Sequence, residues 1–332
     1  MMNVILTIVT AFVLTLVLGR FLIPALRALK AGQAIREDGP TWHNSKAGTP
    51  TMGGLMFMAA AAVCVVAFGF GGMRSGDFSA LYVLLLALCF GLVGFLDDFF
   101  KVKYKRNLGL TSIQKACLQM AVSAIFLYIL YKEGIMSASL YIPFFDVSFK
   151  LHPILYIFFA MFVFVGCVNA VNLTDGLDGL SSSVTVIVMV FFTAVAVAME
   201  RFTLAILPAS LVGGLAAFLC YNWKPAKVFM GDTGSLFLGG AVCGTAFALD
   251  MPLVLILVGI IYIIETMSVI LQVGYFKATH GKRLFKMAPI HHHFEKCGWS
   301  EERIDLTFAG ITAVMCILLS LIHISEPTRR YA

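Results

Sequence analysis

Charge is what this chain has least of. Only 13% of its 332 residues are Asp, Glu, Lys or Arg, about half the roughly 25% of an ordinary soluble domain. With 60% hydrophobic residues and a mean hydropathy of +0.92, there is too little polar surface to cover a soluble fold of this size. A large soluble α/β protein is therefore excluded, and lipid must be the solvent for much of the chain. The eight cysteines form no CxxC pair, which excludes a disulfide framework and a zinc site; most lie inside apolar runs and read as small buried hydrophobes. The first apolar run, Val4 to about Leu26, lacks a basic leader and an A-x-A cleavage site, so it reads as a retained span. No GxxxxGK[ST] loop is present.

What the chain does have is a succession of apolar segments near 4–26, 52–71, 79–100, 116–132, 153–172, 182–199, 202–221, 235–249, 251–273 and 305–324. Each approaches the ~20 residues that cross hydrocarbon as a helix. The sequence predicts an all-α polytopic membrane protein of about ten transmembrane helices. Residues 1–325 form one catalytic domain and 326–332 an atypical tail. Ten spans put both termini on one side and the loops 27–51, 101–115, 173–181, 222–234 and 274–304 on the other. Most of the 24 Lys and Arg residues fall in those five loops, which the positive-inside rule assigns to the cytoplasm, leaving both termini outside. Topology thus accounts for the net charge of +6 without a nucleic-acid partner. A basic cytoplasmic face also suits anionic lipid or a phosphorylated substrate.

The 18 acidic residues are few enough for their positions to be informative. Asp97 and Asp98 close the third span in GLVGFLDDFFKVKYK, where adjacent carboxylates need water, a cation or basic partners. In NAVNLTDGLDGLSS, Asn169 and Asn172 share a helical spacing, as do Asp175 and Asp178, with Gly176 and Gly179 between and after them. Thr174 or Asp175 could cap a helix, and the glycines admit close approach of a ligand. A loop with two Asn, two Asp and no basic residue suits a cation and hydrogen-bonded ligand groups.

The segment NWKPAKVFMGDTGSLFLGG reads as a turn leading into a helix N-terminus, which could bind an anion through free amides; Asp232 there suits a magnesium ligand or a cap. In APIHHHFEKCGWS, His291, His292 and His293 cannot all point one way on a helix, so a three-histidine zinc site is a poor fit. Contact with phosphate, or orientation of the carboxylates, fits better in so basic a loop. REDGPTWHNSKAGTPTMGG adds His43 and Lys46 as positive charge for a diphosphate. Together these clusters point to metal-assisted phosphoryl-type transfer between a soluble phosphorylated substrate and a lipid. A transporter is the competing class, favoured chiefly by Glu265 within the ninth span; a packed polar helix contact is the plainer account of that residue.

LDD, NLTDGLDGL and GDTGS together resemble the polyprenyl-phosphate N-acetylhexosamine-1-phosphate transferase superfamily. PTMGG and PIHHHFE resemble its phospho-N-acetylmuramoyl-pentapeptide-transferase branch, over roughly residues 15–320. The resemblance implies a ten-helix bundle in the bacterial plasma (inner) membrane, with its cleft open to the cytoplasm. It implies Mg²⁺-dependent transfer of phospho-MurNAc-pentapeptide from UDP-MurNAc-pentapeptide to undecaprenyl phosphate, giving lipid I and UMP in peptidoglycan synthesis. It also implies a homodimer and inhibition by nucleoside antibiotics at the uridine site.

By the same resemblance, Asp232 is the direct magnesium ligand, and Asp97 and Asp98 are the essential pair. Asp98 is the better candidate to bind or deprotonate the lipid phosphate, with Asp97 supporting the metal and diphosphate region. Asn172, Asp175 and Asp178 surround nucleotide recognition and catalysis. Phe229 stacks on uracil, with Lys46 and Gln272 near the nucleoside, and Lys115 and His291 to His293 occupy basic positions of the site. Direct in-line attack and a covalent aspartyl intermediate on Asp97 or Asp98 both remain open. The closing SLIHISEPTRRYA departs from the pattern that the resemblance implies.

Overall fold

The computed structural model describes residues 1–29, 48–104, 109–134, 138–142 and 147–324. Lys46 and the tail 326–332 lie outside the described residues. The chain is an all-α polytopic membrane protein. Its long helices are α1 (Met2–Ala28), α2 (Leu55–Arg74), α3 (Ser79–Tyr104), α4 (Ser112–Lys132), α5 (Pro153–Thr174), α6 (Leu180–Ala198), α7 (Phe202–Asn222) and α8 (Gly231–Ala248). A 3-10 turn (Pro252–Val254) and a short α9 (Leu255–Val258) lead into α10 (Ile260–Ala278), then α11 (Ile290–Lys296) and α12 (Glu301–Ile324). Between α4 and α5 the expected external loop carries a two-stranded antiparallel hairpin, β1 (Ser139–Ile142) with β2 (Val147–Lys150), in which Ser139 faces Lys150 and Ile142 faces Val147.

Among the described residues, nine helices are long and apolar enough to cross a membrane, one fewer than expected, and α8 makes the difference. From Thr233 to Ala248 every residue of α8 is buried. It is enclosed by protein rather than lipid, so glycine and polar residues replace the long apolar run a lipid-facing span needs. Gly94 lets α3 come so close that a side chain there would collide with the Asp232 carbonyl, and Gly54 of the turn before α2 meets Gly234 backbone to backbone. Close approach of this kind is what small residues provide in membrane bundles.

The single helix expected over 251–273 is a further correction. It is broken at Gly259, which leaves helical geometry at φ −97°, ψ 17°, with Pro252 opening the preceding turn. The two pieces face different surroundings: Val254, Leu255 and Val258 pack inward, while α10 buries only Ile261, Tyr262, Glu265 and Ser268.

Candidate active site

The end of α3, the start of α4, the end of α5 and the start of α8 meet at one end of the bundle. Asp97 and Asp98 terminate the apolar part of α3 and are both buried at 3% exposure. Asp98 Oδ2 accepts hydrogen bonds from the Thr233 backbone N–H (2.9 Å) and hydroxyl (2.7 Å). It therefore caps α8 from another helix, satisfying an amide that α8 cannot satisfy itself. The anion-binding turn expected at GDTGS thus already has a carboxylate on one of its amides. Asp97 Oδ1 accepts from the Leu110 N–H at 2.8 Å, and its other oxygen is paired with Lys101.

Asp232, in the first turn of α8, gathers the rest. Its Oδ2 lies 3.0 Å from Lys101 Nζ and 2.9 Å from Lys115 Nζ. Its Oδ1 accepts from Asn172 Nδ2 at 2.7 Å, and the same amide reaches Ser235 Oγ at 2.8 Å. One oxygen from each of Asp97, Asp98 and Asp232 lies within 4.8 Å of the others. Three carboxylates against two ammoniums leave one net negative charge. Hard oxygen donors in such a group fit Mg²⁺, and adding a divalent ion would turn the site positive and receptive to a diphosphate.

Asn172 joins this group, and Asn169, at the same helical spacing, does not. Asn169 pairs with Gln119 of α4, its Nδ2 donating to Gln119 Oε1 at 2.7 Å. Neither Thr174 nor Asp175 caps the next helix. The Thr174 hydroxyl donates back to the Ala170 carbonyl, Asp175 closes α5 as its C-cap, and Gly179 at φ 85° begins α6. Asp178 Oδ2 accepts from the Ala226 N–H at 3.0 Å. Buried Asn222 accepts from the Gly179 N–H and donates to the Val228 carbonyl, so the 175–179 and 224–230 loops are bound together. Loss of water around Asp175, with the charges of Asp232, Asp98 and Asp178 behind it, pushes that carboxyl well above the usual carboxylate range.

Phe229 sits half-buried in the second of these loops, its backbone exchanging hydrogen bonds with Pro50 and Gly53. Gln272 of α10 turns to its own loop: Oε1 accepts from the Leu284 and Phe285 N–H groups at 3.1 and 2.8 Å.

The three histidines diverge, as consecutive helical residues must. His291 is fully buried with Nδ1 3.0 Å from Glu265 Oε2, and its Nε2 edge lies against Gly176. His292 Nδ1 meets Glu295 Oε2 at 2.6 Å. His293 Nδ1 accepts from the Lys286 N–H at 3.1 Å. Glu265, the residue that favoured a transporter, is thus a partner of a histidine from the site loop.

Lys101 is the residue that sequence reasoning passed over. It was counted only as a basic loop residue, yet it touches both Asp97 and Asp232. Its signal was the DDFFK spacing, which places it one turn beyond both aspartates.

Comparison with known proteins bears on this assembly. Residues 80–250, which hold all three aspartates, match the model of glycosyl transferase family 4. Residues 46–58 match the phospho-N-acetylmuramoyl-pentapeptide-transferase signature 1. Relatives named phospho-N-acetylmuramoyl-pentapeptide-transferase include that of Clostridium acetobutylicum, 46% identical over 96% of this chain and 99% of its own length. That of Clostridium perfringens strain 13 is 50% identical over 95% and 97%, and that of Listeria monocytogenes strain EGD-e 48% identical over 94% and 95%. Identity of this degree, over nearly the whole of each chain and spanning every element that builds the site, means that the chain belongs to the phospho-N-acetylmuramoyl-pentapeptide-transferase family.

Proposed function

We propose the following reading of how the site works. The chain is a phosphoglycosyl transferase that moves phospho-MurNAc-pentapeptide from its UDP-linked form to undecaprenyl phosphate, producing lipid I and UMP. The observation that carries the chemistry is the Asp97–Asp98–Asp232 group with its two lysines. Asp232 holds Mg²⁺, with Asp97 and Asp98 completing the acidic set. The ion, when bound, neutralises charge on the diphosphate and on departing UMP.

Lys101 and Lys115 are placed to contact phosphate oxygens once Asp232 is committed to the metal. An oxygen of the lipid phosphate attacks the β-phosphorus in line and UMP leaves. Direct attack is favoured over an aspartyl intermediate by the bonding of the pair. Asp98 Oδ2 is held by two Thr233 donors, and Asp97 is held by Leu110 and Lys101. To act as a nucleophile, Asp97 would have to loosen one of these contacts, and Asp98 would have only its Oδ1, 3.9 Å from Lys101 Nζ, to offer. Asn172, Asp175, Asp178 and Phe229 border the donor nucleotide with Gln272, and Lys46, outside the described residues, is assigned to the nucleoside on the family resemblance alone. A transporter reading loses its main support with Glu265 paired to His291.

The site faces the cytoplasm of the bacterial plasma membrane and both termini lie outside. The support is the crowding of Lys and Arg into the loops at the site end. At 18 residues and a rise of ~1.5 Å each, α8 is about 27 Å long, enough to serve as the tenth crossing. A homodimer in lipid and blockade by nucleoside antibiotics belong to the same reading.

The test uses purified protein with undecaprenyl phosphate and Mg²⁺, given UDP-MurNAc-pentapeptide or UDP-GlcNAc, with Asp232→Asn as control. UMP release with the muramoyl substrate alone, lost with EDTA or the substitution, is expected. Turnover of UDP-GlcNAc alone would overturn the substrate assignment.

A further inference from the structure

Glu265 and His291 are the most deeply buried ionisable pair outside the aspartate group, both at 0% exposure. They come from different elements, α10 and α11, 26 residues apart. Each uses one polar atom on the other. The remaining two, Glu265 Oε1 and His291 Nε2, are buried with no hydrogen-bond partner. A buried polar atom left without a partner is destabilising, so a fold that tolerates two of them has another use for the arrangement.

The surroundings of Nε2 decide its protonation. It is pressed against Gly176, where any Cβ would collide with the ring. An N–H aimed there would have nothing to donate to. A bare ring nitrogen packs against that backbone at lower cost, since orphaned donors are tolerated less well than under-satisfied acceptors. Meanwhile a carboxylate at Nδ1 demands the proton on that side.

We infer that Glu265 is a positioning residue: it holds the proton of His291 on Nδ1, so that a bare Nε2 seats the Asp175–Gly179 loop against α11. Of the three histidines, His291 would then act as a neutral strut rather than as a phosphate-binding cation. Its effect reaches the reaction through the loop that carries Asp175 and Asp178. This deepens the transferase reading of the same site and rests on it for the effect on turnover, but the tautomer can be read without any substrate.

The experiment is ¹⁵N NMR of the full-length protein labelled at histidine, in detergent, with His291→Asn to assign the signals and turnover measured in parallel. The wild type is expected to show a protonated Nδ1 and an unprotonated Nε2 at His291. Glu265→Gln presents either an oxygen or an amino group to Nδ1. It should release the tautomer into a mixture and lower kcat at least tenfold, with the KM for the UDP substrate within about threefold and the thermal midpoint close to wild type.

In a double-mutant cycle with His291→Asn, Glu265→Gln should add nothing further. A wild-type Nε2 that carries a proton overturns the inference, as does a Glu265→Gln protein with unchanged tautomer and kcat, or fully additive effects. Absence of turnover by the wild type would instead count against the transferase reading and leave the tautomer result standing.

Discussion

The two polar neighbourhoods of this protein, the aspartate–lysine group at α3 and α8 and the glutamate–histidine pair at α10 and α11, solve opposite problems. In the first, each carboxylate has partners: Asp232 meets two ammoniums and an amide, Asp97 meets Lys101, and Asp98 caps a helix. In the second, a single hydrogen bond joins two fully buried groups and leaves an atom of each unpaired. The first arrangement stores electrostatic potential where a metal and phosphates are to be exchanged. The second stores geometry. Partners in the first can be traded for ligand oxygens, whereas the second has no exposure through which to trade.

The largest effect that separates the two should follow Asp232→Asn. It removes the carboxylate that both lysines share and should lower UMP release by at least a thousandfold, with the metal affinity measured by Mn²⁺ titration falling in parallel. Lys101→Met should come next, at roughly a hundredfold in kcat, because Asp97 then loses its paired cation and the phosphates one donor. Excess Mg²⁺ should recover part of that loss, and no recovery at all would separate Lys101 from the metal group. Gly176→Ala tests the other neighbourhood. The new methyl group collides with His291, so kcat should fall tenfold or more while Mn²⁺ affinity stays within about twofold.

Much of the first neighbourhood was legible in the sequence, because it is written in local clusters. LDD, NLTDGLDGL and GDTGS each sit at a helix end where an apolar run meets polar residues, and membrane physics makes such residues conspicuous. What the sequence could not supply was the pairing across it. Asp98 and Thr233 lie 135 residues apart, and nothing local distinguishes Asn172, which joins Asp232, from Asn169, which joins Gln119 instead.

Glu265 was conspicuous, and its plainer account as a packed polar contact holds, but its partner could not be named because it approaches through α11 from the following loop. The helix expected over 235–249 is there as α8, and because protein surrounds it, it need not be as apolar as the nine long spans among the described residues. The hairpin of β1 and β2 is not legible in the sequence, because short strands outside the bundle carry too little pattern. Lys46 and the tail at 326–332 fall outside the described residues.

The Asp175 carboxyl offers a smaller effect that joins the two neighbourhoods. Its folded pKa is raised well above 3.8 by loss of water and by the charges of Asp232, Asp98 and Asp178. A raised carboxyl pKa favours the fold fully at pH below the unfolded value, and that contribution is lost as pH rises through the folded value. Asp175→Asn abolishes this dependence. In metal-free protein the variant should melt a few degrees above wild type at pH 8, and the difference should shrink toward zero near pH 4. Added Mg²⁺ should narrow the gap at pH 8, because a cation offsets the charges that burden Asp175.

The smallest expected effect lies at Gln272, which uses its side-chain oxygen on the Leu284 and Phe285 N–H groups and its amide on the Phe285 carbonyl. Gln272→Ala releases the start of the loop that leads to α11, while water can reach the exposed Leu284 amide. The net loss should be about 1–2 kcal/mol of local stability, read as faster amide hydrogen exchange over 284–286. KM for the UDP substrate should rise a few-fold and kcat hardly change. A fall in kcat comparable to that of Gly176→Ala would mean that the loop transmits its position to His291, and would merge Gln272 with the glutamate–histidine pair into a single supporting unit.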